Sequence, residues 1–261
     1  MKKIAFTLIL IVVMVSSLAL FACDKEPNTT PTAPEFSKTY SITYELNGGT
    51  NSEANPTSYM ASTETIKFEN PTYLVNGLEA FHFMGWYDNA EFQGKKITEL
   101  AKGSIHDRKY YAKWKAVDYT ITYDTNGGIN DGDNPEKYNY TTATFDLGTP
   151  IKSGYKFLGW YQDAEFETTP VVTIEQGSVG AYSMFARWGT LYAISYELDG
   201  GTMEDTIVEY CSEETPTALP MPTKDGCEFA GWYLSSSFSG ESLTEIPEGS
   251  VGNLTFYAKW N

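Results

Sequence analysis

The sequence predicts a mostly β chain, α+β at most, in which three small modules follow one another along an elongated rod. A block recurs three times between Tyr40 and Trp260, and self-similarity of this kind marks a repeat architecture. Apolar residues alternate with period two where each block opens and closes, as in half-buried strands. Aromatics make up 15% of the 261 residues, with 19 Tyr and 6 Trp. That is too rich for a disordered chain and suits packed β-structure. No long window carries a helical stripe, although Lys95 to Lys102 has room for a turn or two of helix.

Ahead of the repeats, residues 1–22 read as a signal peptide. Met1-Lys2-Lys3 is a short basic start, and the 19 residues from Ile4 to Ala22 are apolar or small. A positive start, an apolar run and a small residue before the cut make a secretory signal; a run of this length also suffices to span a bilayer. The stretch closes as Leu20-Phe21-Ala22-Cys23, which resembles the bacterial lipobox, with Phe21 bulkier than the residue usual at its position. The resemblance implies that the Cys23 thiol is diacylglyceryl-modified, so that the chain reaches a membrane through an N-terminal lipid. Two or more acyl chains make such an anchor stable. Residues 23–38 hold this Cys and a tether. Asp24 to Lys38 contains three prolines, three threonines and no apolar period, and proline restricts φ and removes backbone donors, so the segment is a semi-extended spacer. The expected location is extracytoplasmic, as a membrane-anchored lipoprotein at the cell surface.

The modules are expected at 39–115, 118–189 and 191–261. They open with Tyr40-Ser-Ile-Thr-Tyr-Glu-Leu-Asn-Gly-Gly49, Tyr119-Thr-Ile-Thr-Tyr-Asp-Thr-Asn-Gly-Gly128 and Tyr192-Ala-Ile-Ser-Tyr-Glu-Leu-Asp-Gly-Gly201. Ile42, Tyr44 and Leu46 share one face of the first opening and Thr43 and Glu45 the other, and the Asn-Gly-Gly or Asp-Gly-Gly that follows accepts φ > 0 for a tight turn. Each copy then carries Gly-Trp-Tyr, at Gly85, Gly159 and Gly231, apolar on both faces and so expected in the middle of a sheet. Each closes on an aromatic-Ala-basic-Trp strand, Tyr111 to Trp114, Phe185 to Trp188 and Tyr257 to Trp260, with 28 residues from first Trp to second in every copy. Only Lys115 to Asp118 and Gly189 to Leu191 separate the copies, and linkers so short hold neighbours end to end.

From Tyr40 to Trp260 the pattern resembles the internalin B-repeat, also called the Listeria–Bacteroides repeat. Ser153-Gly-Tyr-Lys-Phe-Leu-Gly-Trp-Tyr161 carries its signature most fully; copy three departs with Cys227 where Tyr155 stands, and copy one has a longer interval between Pro71 and Gly85. The resemblance implies a small β-grasp-like module found in tandem on bacterial surface proteins, where it serves as a spacer, partner-binding or adhesion unit, and it brings no active site.

Charge and composition exclude several function classes. Thirty-four Asp or Glu against 18 Lys or Arg give a formal charge of −16. So acidic a surface repels phosphate and excludes a nucleic-acid partner. Two His and three Cys leave little for a metal site or a His-based catalytic centre, and no cofactor is expected. Gly-x-Ser-x-Gly, P-loop and His-Glu-x-x-His patterns are missing.

Five features remain to be weighed. The six tryptophans are expected as core, because they recur at fixed spacing in strands. Tyr111, Phe185 and Tyr257, beside Lys113, Arg187 and Lys259, form a candidate exposed aromatic and basic face, against the alternative of simple cross-strand pairing. Tyr73, Leu74, Val75 and Leu78 lie in the additional loop of copy one, a candidate binding loop unless it folds back or pairs as a hairpin around Asn76-Gly77. Cys211 and Cys227, both in copy three of an exported chain, are a candidate structural disulfide. The turn Asn130-Asp-Gly-Asp-Asn134 reads as a solvated acidic turn rather than a Ca²⁺ loop. The function expected is that of a non-catalytic cell-surface lipoprotein whose modules act in protein binding, adhesion or spacing toward a surface protein or glycan. The alternative is a glycan-binding lipoprotein that captures carbohydrate, which exposed coplanar aromatics would favour and buried Trp would weaken.

Overall fold

The computed structural model describes residues 37–261, so the signal peptide, Cys23 and the tether as far as Phe36 lie outside the described residues. Module one contains β1 (Thr39–Glu45), β2 (Ser58–Met60), β3 (Ile66–Lys67), β4 (Leu74–Val75), β5 (Leu78–Glu79), β6 (Phe81–Tyr87), β7 (Glu99–Leu100) and β8 (Arg108–Ala116). Module two contains β9 (Tyr119–Asp124), β10 (Lys137–Tyr138), β11 (Phe145–Asp146), β12 (Tyr155–Tyr161), β13 (Thr173–Ile174) and the first half of β14 (Tyr182–Glu197). Module three uses the second half of β14 with β15 (Glu209–Cys211), β16 (Thr217–Ala218), β17 (Phe229–Tyr233), β18 (Glu245–Ile246) and β19 (Leu254–Trp260). Among the described residues the only helical element is a 3-10 turn at Ser212–Glu214. Lys95 to Lys102 is extended chain rather than helix: the Ile97 N–H donates to Trp86 O (2.9 Å), and Thr98 O accepts from Phe68 N–H (3.1 Å).

In each module the first and last strands lie side by side and parallel. β1 meets β8 from Ile42↔Arg108 to Glu45↔Tyr111. β9 meets β14 from Ile121↔Tyr182 to Asp124↔Phe185, and β14 meets β19 from Ile194↔Leu254 to Glu197↔Tyr257. Antiparallel strands flank these pairs, giving β2-β1-β8-β6, β10-β9-β14-β12 and β15-β14-β19-β17. This is a β-grasp sheet without its helix. The two-stranded pieces β3/β7, β11/β13 and β16/β18 supply Leu100, Ile174 and Ile246 to three separate cores.

The Gly-Trp-Tyr strands lie at the sheet edge, not in its middle. Register slips between Phe83 and Gly85, Phe157 and Gly159, and Phe229 and Gly231. The glycines have φ of 139°, 134° and 125°, a bulge conformation that costs glycine little. The bulge delivers Trp86, Trp160 and Trp232 into the cores at 1–2% exposure, where their Nε1–H groups donate to Glu69 O, Gly148 O and Pro220 O. On the reverse face, Phe92, Phe166 and Phe238 fold back onto Tyr87, Tyr161 and Tyr233, with ring centroids 5.7, 5.4 and 5.6 Å apart. Two-faced apolarity therefore reflects a core on one side and a folded-back loop on the other, which an edge strand accommodates.

The second Trp of each copy closes the module. Trp114, Trp188 and Trp260 donate through Nε1–H to Leu46 O (2.8 Å), Thr125 O (2.8 Å) and Leu198 O (2.9 Å) at the end of the first strand. Their rings lie on the second glycine of the turn, where a Cβ at Gly49, Gly128 or Gly201 would come within 2.3, 2.6 or 2.5 Å of the indole. The first glycine is needed for its positive φ, the second for this close approach.

The two joints differ. β14 is one strand of 16 residues, so Gly189 to Leu191, expected as a linker, is paired chain: Gly189 opposes Lys156 and Leu191 opposes Cys211. At roughly 3.3 Å per residue it runs about 53 Å without a break, which makes modules two and three one stiff piece of the rod. β8 and β9 are interrupted only at Val117 and Asp118.

One buried hydroxyl distinguishes the copies. Tyr44 and Tyr123 donate to Pro56 O (2.9 Å) and Pro135 O (3.0 Å), whereas the equivalent Tyr196 hydroxyl is buried with no partner. Tyr123→Phe is expected to cost about 1 kcal/mol in denaturant unfolding, and Tyr196→Phe to leave stability unchanged or raise it. Burial pushes the Tyr123 and Tyr196 hydroxyls up to about 12. Their folded pKa thus lies above the unfolded value of about 10, so stability is full below pH ~10 and falls as pH rises toward 12. Thermal unfolding across that window reads the decline.

Candidate functional site

The additional loop of copy one is a hairpin. β4 and β5 pair Leu74 with Glu79 and Val75 with Leu78 around Asn76 and Gly77, whose φ values of 50° and 81° suit a two-residue turn. The hairpin leans on module two. The Tyr119 hydroxyl donates to Glu79 O (2.8 Å), and Leu78 Cδ1 lies 3.2 Å from where a Cβ on Gly180 would stand. The Tyr140 ring is 6.2 Å from Tyr73 and 5.4 Å from Phe81. Val117 N–H donates to Ala80 O (3.0 Å) across the same joint. The candidate binding loop thus braces the joint between modules one and two, while Leu74 at 54% and Leu78 at 45% exposure keep apolar surface in solvent.

The aromatic and basic face is largely occupied by its own side chains. Tyr111, Phe185 and Tyr257 oppose Tyr87, Tyr161 and Tyr233 across the sheet and are half-buried. The Lys113 Nζ sits 5.4 Å from the Tyr87 centroid and 5.5 Å from Phe92. Arg187 lies 5.8 and 5.9 Å from Tyr161 and Phe166, and Lys259 lies 5.4 Å from Tyr233. Each cation is held over a ring of its own module, an attraction of about 0.5–1 kcal/mol at such solvent-facing positions.

The expected disulfide is not formed: Cys211 and Cys227 are free thiols, the first buried and the second exposed. Cys211 pairs with Leu191 at the joint with module two. Cys227 precedes β17, whose Phe229 meets Trp260 at the far end of the same sheet. A disulfide needs Cα atoms within about 7 Å, and the length of module three separates these two. Cys211 instead fills the space over Gly189, where a Cβ would stand 2.3 Å from Sγ. Its thiol contacts the Glu213 carboxylate at 3.3 Å. Burial first, and that carboxylate with it, push the Cys211 thiol up.

The Asn130 to Asn134 turn is structural. Buried Asn134 donates to Asn130 Oδ1 (2.8 Å) and Gly148 O (3.3 Å) and accepts from Gly148 N–H (2.7 Å); Asn55 does the same with Asn51 and Glu69 in copy one. The two carbonyls it holds are those that accept from Trp160 and Trp86. His82 pairs with Glu79 at 3.0 Å, and among the described residues no three His, Cys, Asp or Glu side chains gather as metal ligands.

Two features escaped the sequence reading. Phe92, Phe166 and Phe238 each follow the core Trp by six residues, a spacing as regular as that of the second Trp. Ile129 and Ile151, a bridged pair exposed at 68% and 67%, stand where the other copies bridge Thr50 to Thr72 and Thr202 to Thr223. Aligning the three copies reveals both.

The three β-modules, each closed by its own repeated aromatics, form a tandem repeat array. The chain is a member of the Listeria-Bacteroides repeat domain family, whose model matches residues 40–113, 119–184 and 192–259. It is 30% identical over 231 residues to a protein of Evansella cellulosilytica described as a Gly-rich membrane protein, covering 85% of this chain and 24% of that one. A second membrane protein of that organism is 28% identical over 242 residues, covering 85% of this chain and 32% of its own length. Internalin H of Listeria monocytogenes is 28% identical over 114 residues, 42% of this chain and 20% of that protein. The chain therefore spans a third or less of the length of these relatives.

With both thiols free, the folded protein is expected to give the same thermal midpoint with and without reductant. A maleimide should label Cys227 in the folded state and Cys211 only after unfolding, as mass spectrometry of the labelled peptides will show.

Proposed function

We propose that the protein is a non-catalytic lipoprotein of the bacterial cell surface, anchored through a lipid on Cys23, whose modules serve protein binding, adhesion or spacing at the envelope. One observation carries the reading: in every module the residues that define the repeat are committed to holding the module closed. The core Trp sits under the bulge, the second Trp caps the turn, and the basic residue lies over its own Tyr. What the array offers a partner is then its length and its surface. The membrane-protein names of two relatives and the internalin name of a third fit an envelope location. Burial of Trp86, Trp160 and Trp232 at 1–2% exposure weakens the glycan-capture alternative, because stacking on sugar needs accessible ring faces.

Cys23→Ala is expected to move the protein from the membrane to the soluble fraction and to abolish incorporation of labelled fatty acid; retention of both would refute the anchor. The soluble form, residues 24–261, is to be tested on arrays of surface proteins and glycans beside a variant with Tyr73 to Ala80 shortened to the length of copy two. Saturable protein binding supports adhesion, and its loss with the hairpin places the contact at the first joint. Saturable binding to glycans alone would replace this reading with the carbohydrate one. Silence on both arrays favours spacing.

A further inference from the structure

We infer that each module is a mechanical clamp, built to withstand tension along the chain, and that the three clamps are connected in series with no slack between them. The inference rests on the surface-anchored reading for its purpose, but its physics rests on topology alone. Tension applied through the chain enters a module at the start of its first strand and leaves at the end of its last. In all three modules these two strands are neighbours, parallel and hydrogen-bonded to each other. A pull from the two ends therefore draws them past one another along their length. Every hydrogen bond of the ladder is stressed together, so none opens until several fail at once. Had the two strands been antiparallel, the same pull would act on adjacent ends and open the bonds one at a time.

The signature residues of the repeat lengthen this ladder at its distal end. Trp114, Trp188 and Trp260, on the last strand, bond the carbonyls of Leu46, Thr125 and Leu198, just past the first. Asn47 and Asn126 return the bond through Nδ2 to Ala112 O (3.0 Å) and Ala186 O (2.8 Å). At the proximal end, Asp107 and Asn253 accept from the N–H of Ser41 (2.7 Å) and Ala193 (3.0 Å). In module one the Lys109–Glu45 ion pair, at 2.9 Å, adds a side-chain link between the same two strands. Copy three carries Asp199 in place of the Asn, and a carboxylate has no N–H to give.

The joints pass tension on directly. β14 is both the last strand of module two and the first of module three, so force leaving one clamp acts on the next without a linker to straighten. At the first joint the interruption is Val117 and Asp118 alone, spanned by the hairpin and its contacts with Tyr119, Tyr140 and Gly180.

The test is single-molecule stretching of residues 24–261 with Cys211 and Cys227 replaced by Ser. Pulled from its two ends, the chain should give three high-force ruptures, one per module. Pulled instead between cysteines placed by Asp118→Cys and Ala181→Cys, both exposed and both just ahead of parallel strands β9 and β14, module two is peeled from one end. It should then open at a severalfold lower force. Asn126→Asp, a change to a residue of the kind already present at Asp199, should lower one of the three end-to-end ruptures while the other two stay. Equal forces in the two pulling geometries would overturn the clamp, and would leave the anchor reading, decided by fractionation of Cys23→Ala, untouched. An Asn126→Asp chain with unchanged ruptures would overturn the part given to the signature Asn.

Discussion

Everything in this chain depends on pairing the first strand of a module with its last. In module one the Trp114–Leu46 bond closes a separation of 68 residues, so the pair forms only at the entropic cost of closing a long loop. A module this small has few ways to offset that cost. It uses one fully buried Trp, a second Trp clamped on a glycine, and a ring of tyrosines around them. The parallel pair is also what leaves a module's two chain ends at opposite ends of its sheet. That geometry lets copies follow one another in line and makes a rod from three small units.

The repetition is not perfect, and its departures cluster at the joints. Where module two meets module three the strand is continuous, Cys211 and Glu213 fill the space over Gly189, and the Lys156–Glu214 ion pair crosses the joint. Where module one meets module two, the strand is broken and the chain carries an extra hairpin instead, with Tyr73, Phe81 and Tyr140 packed across the gap. The insertion that looks like decoration in the sequence substitutes for strand continuity. The exposed Ile129 and Ile151 are a departure of another kind, a bridged pair that replaces the threonines of the other copies. The structure gives no reason for that change.

The candidate residues fared unevenly for reasons that lie in how far their partners are along the chain. The core Trp were legible because burial follows from period-two alternation and fixed spacing, which are local. The Tyr and Lys face was legible as a face, but its occupation by Phe92, Phe166 and Phe238 depends on a loop folding back after the bulge. Cys211 and Cys227 looked like a pair because both fall in one module of an exported chain, yet the chain between them runs the length of that module, so sharing a module misleads. The Gly-Trp-Tyr strand looked central because apolarity on both faces usually means sheet neighbours on both sides. Here one face is covered by a loop.

The sequence by itself determined the number of modules, their order, the strands that open and close them, and the glycines at their turns, because these rest on spacing and on backbone freedom that a chain carries locally. Only the tertiary structure decided which strands are neighbours, that the first and last run parallel, that Gly189 lies within a strand, and that the hairpin of copy one is a brace. Each of those depends on contacts between residues far apart in the chain, and nothing in local composition says which distant segment will supply the partner.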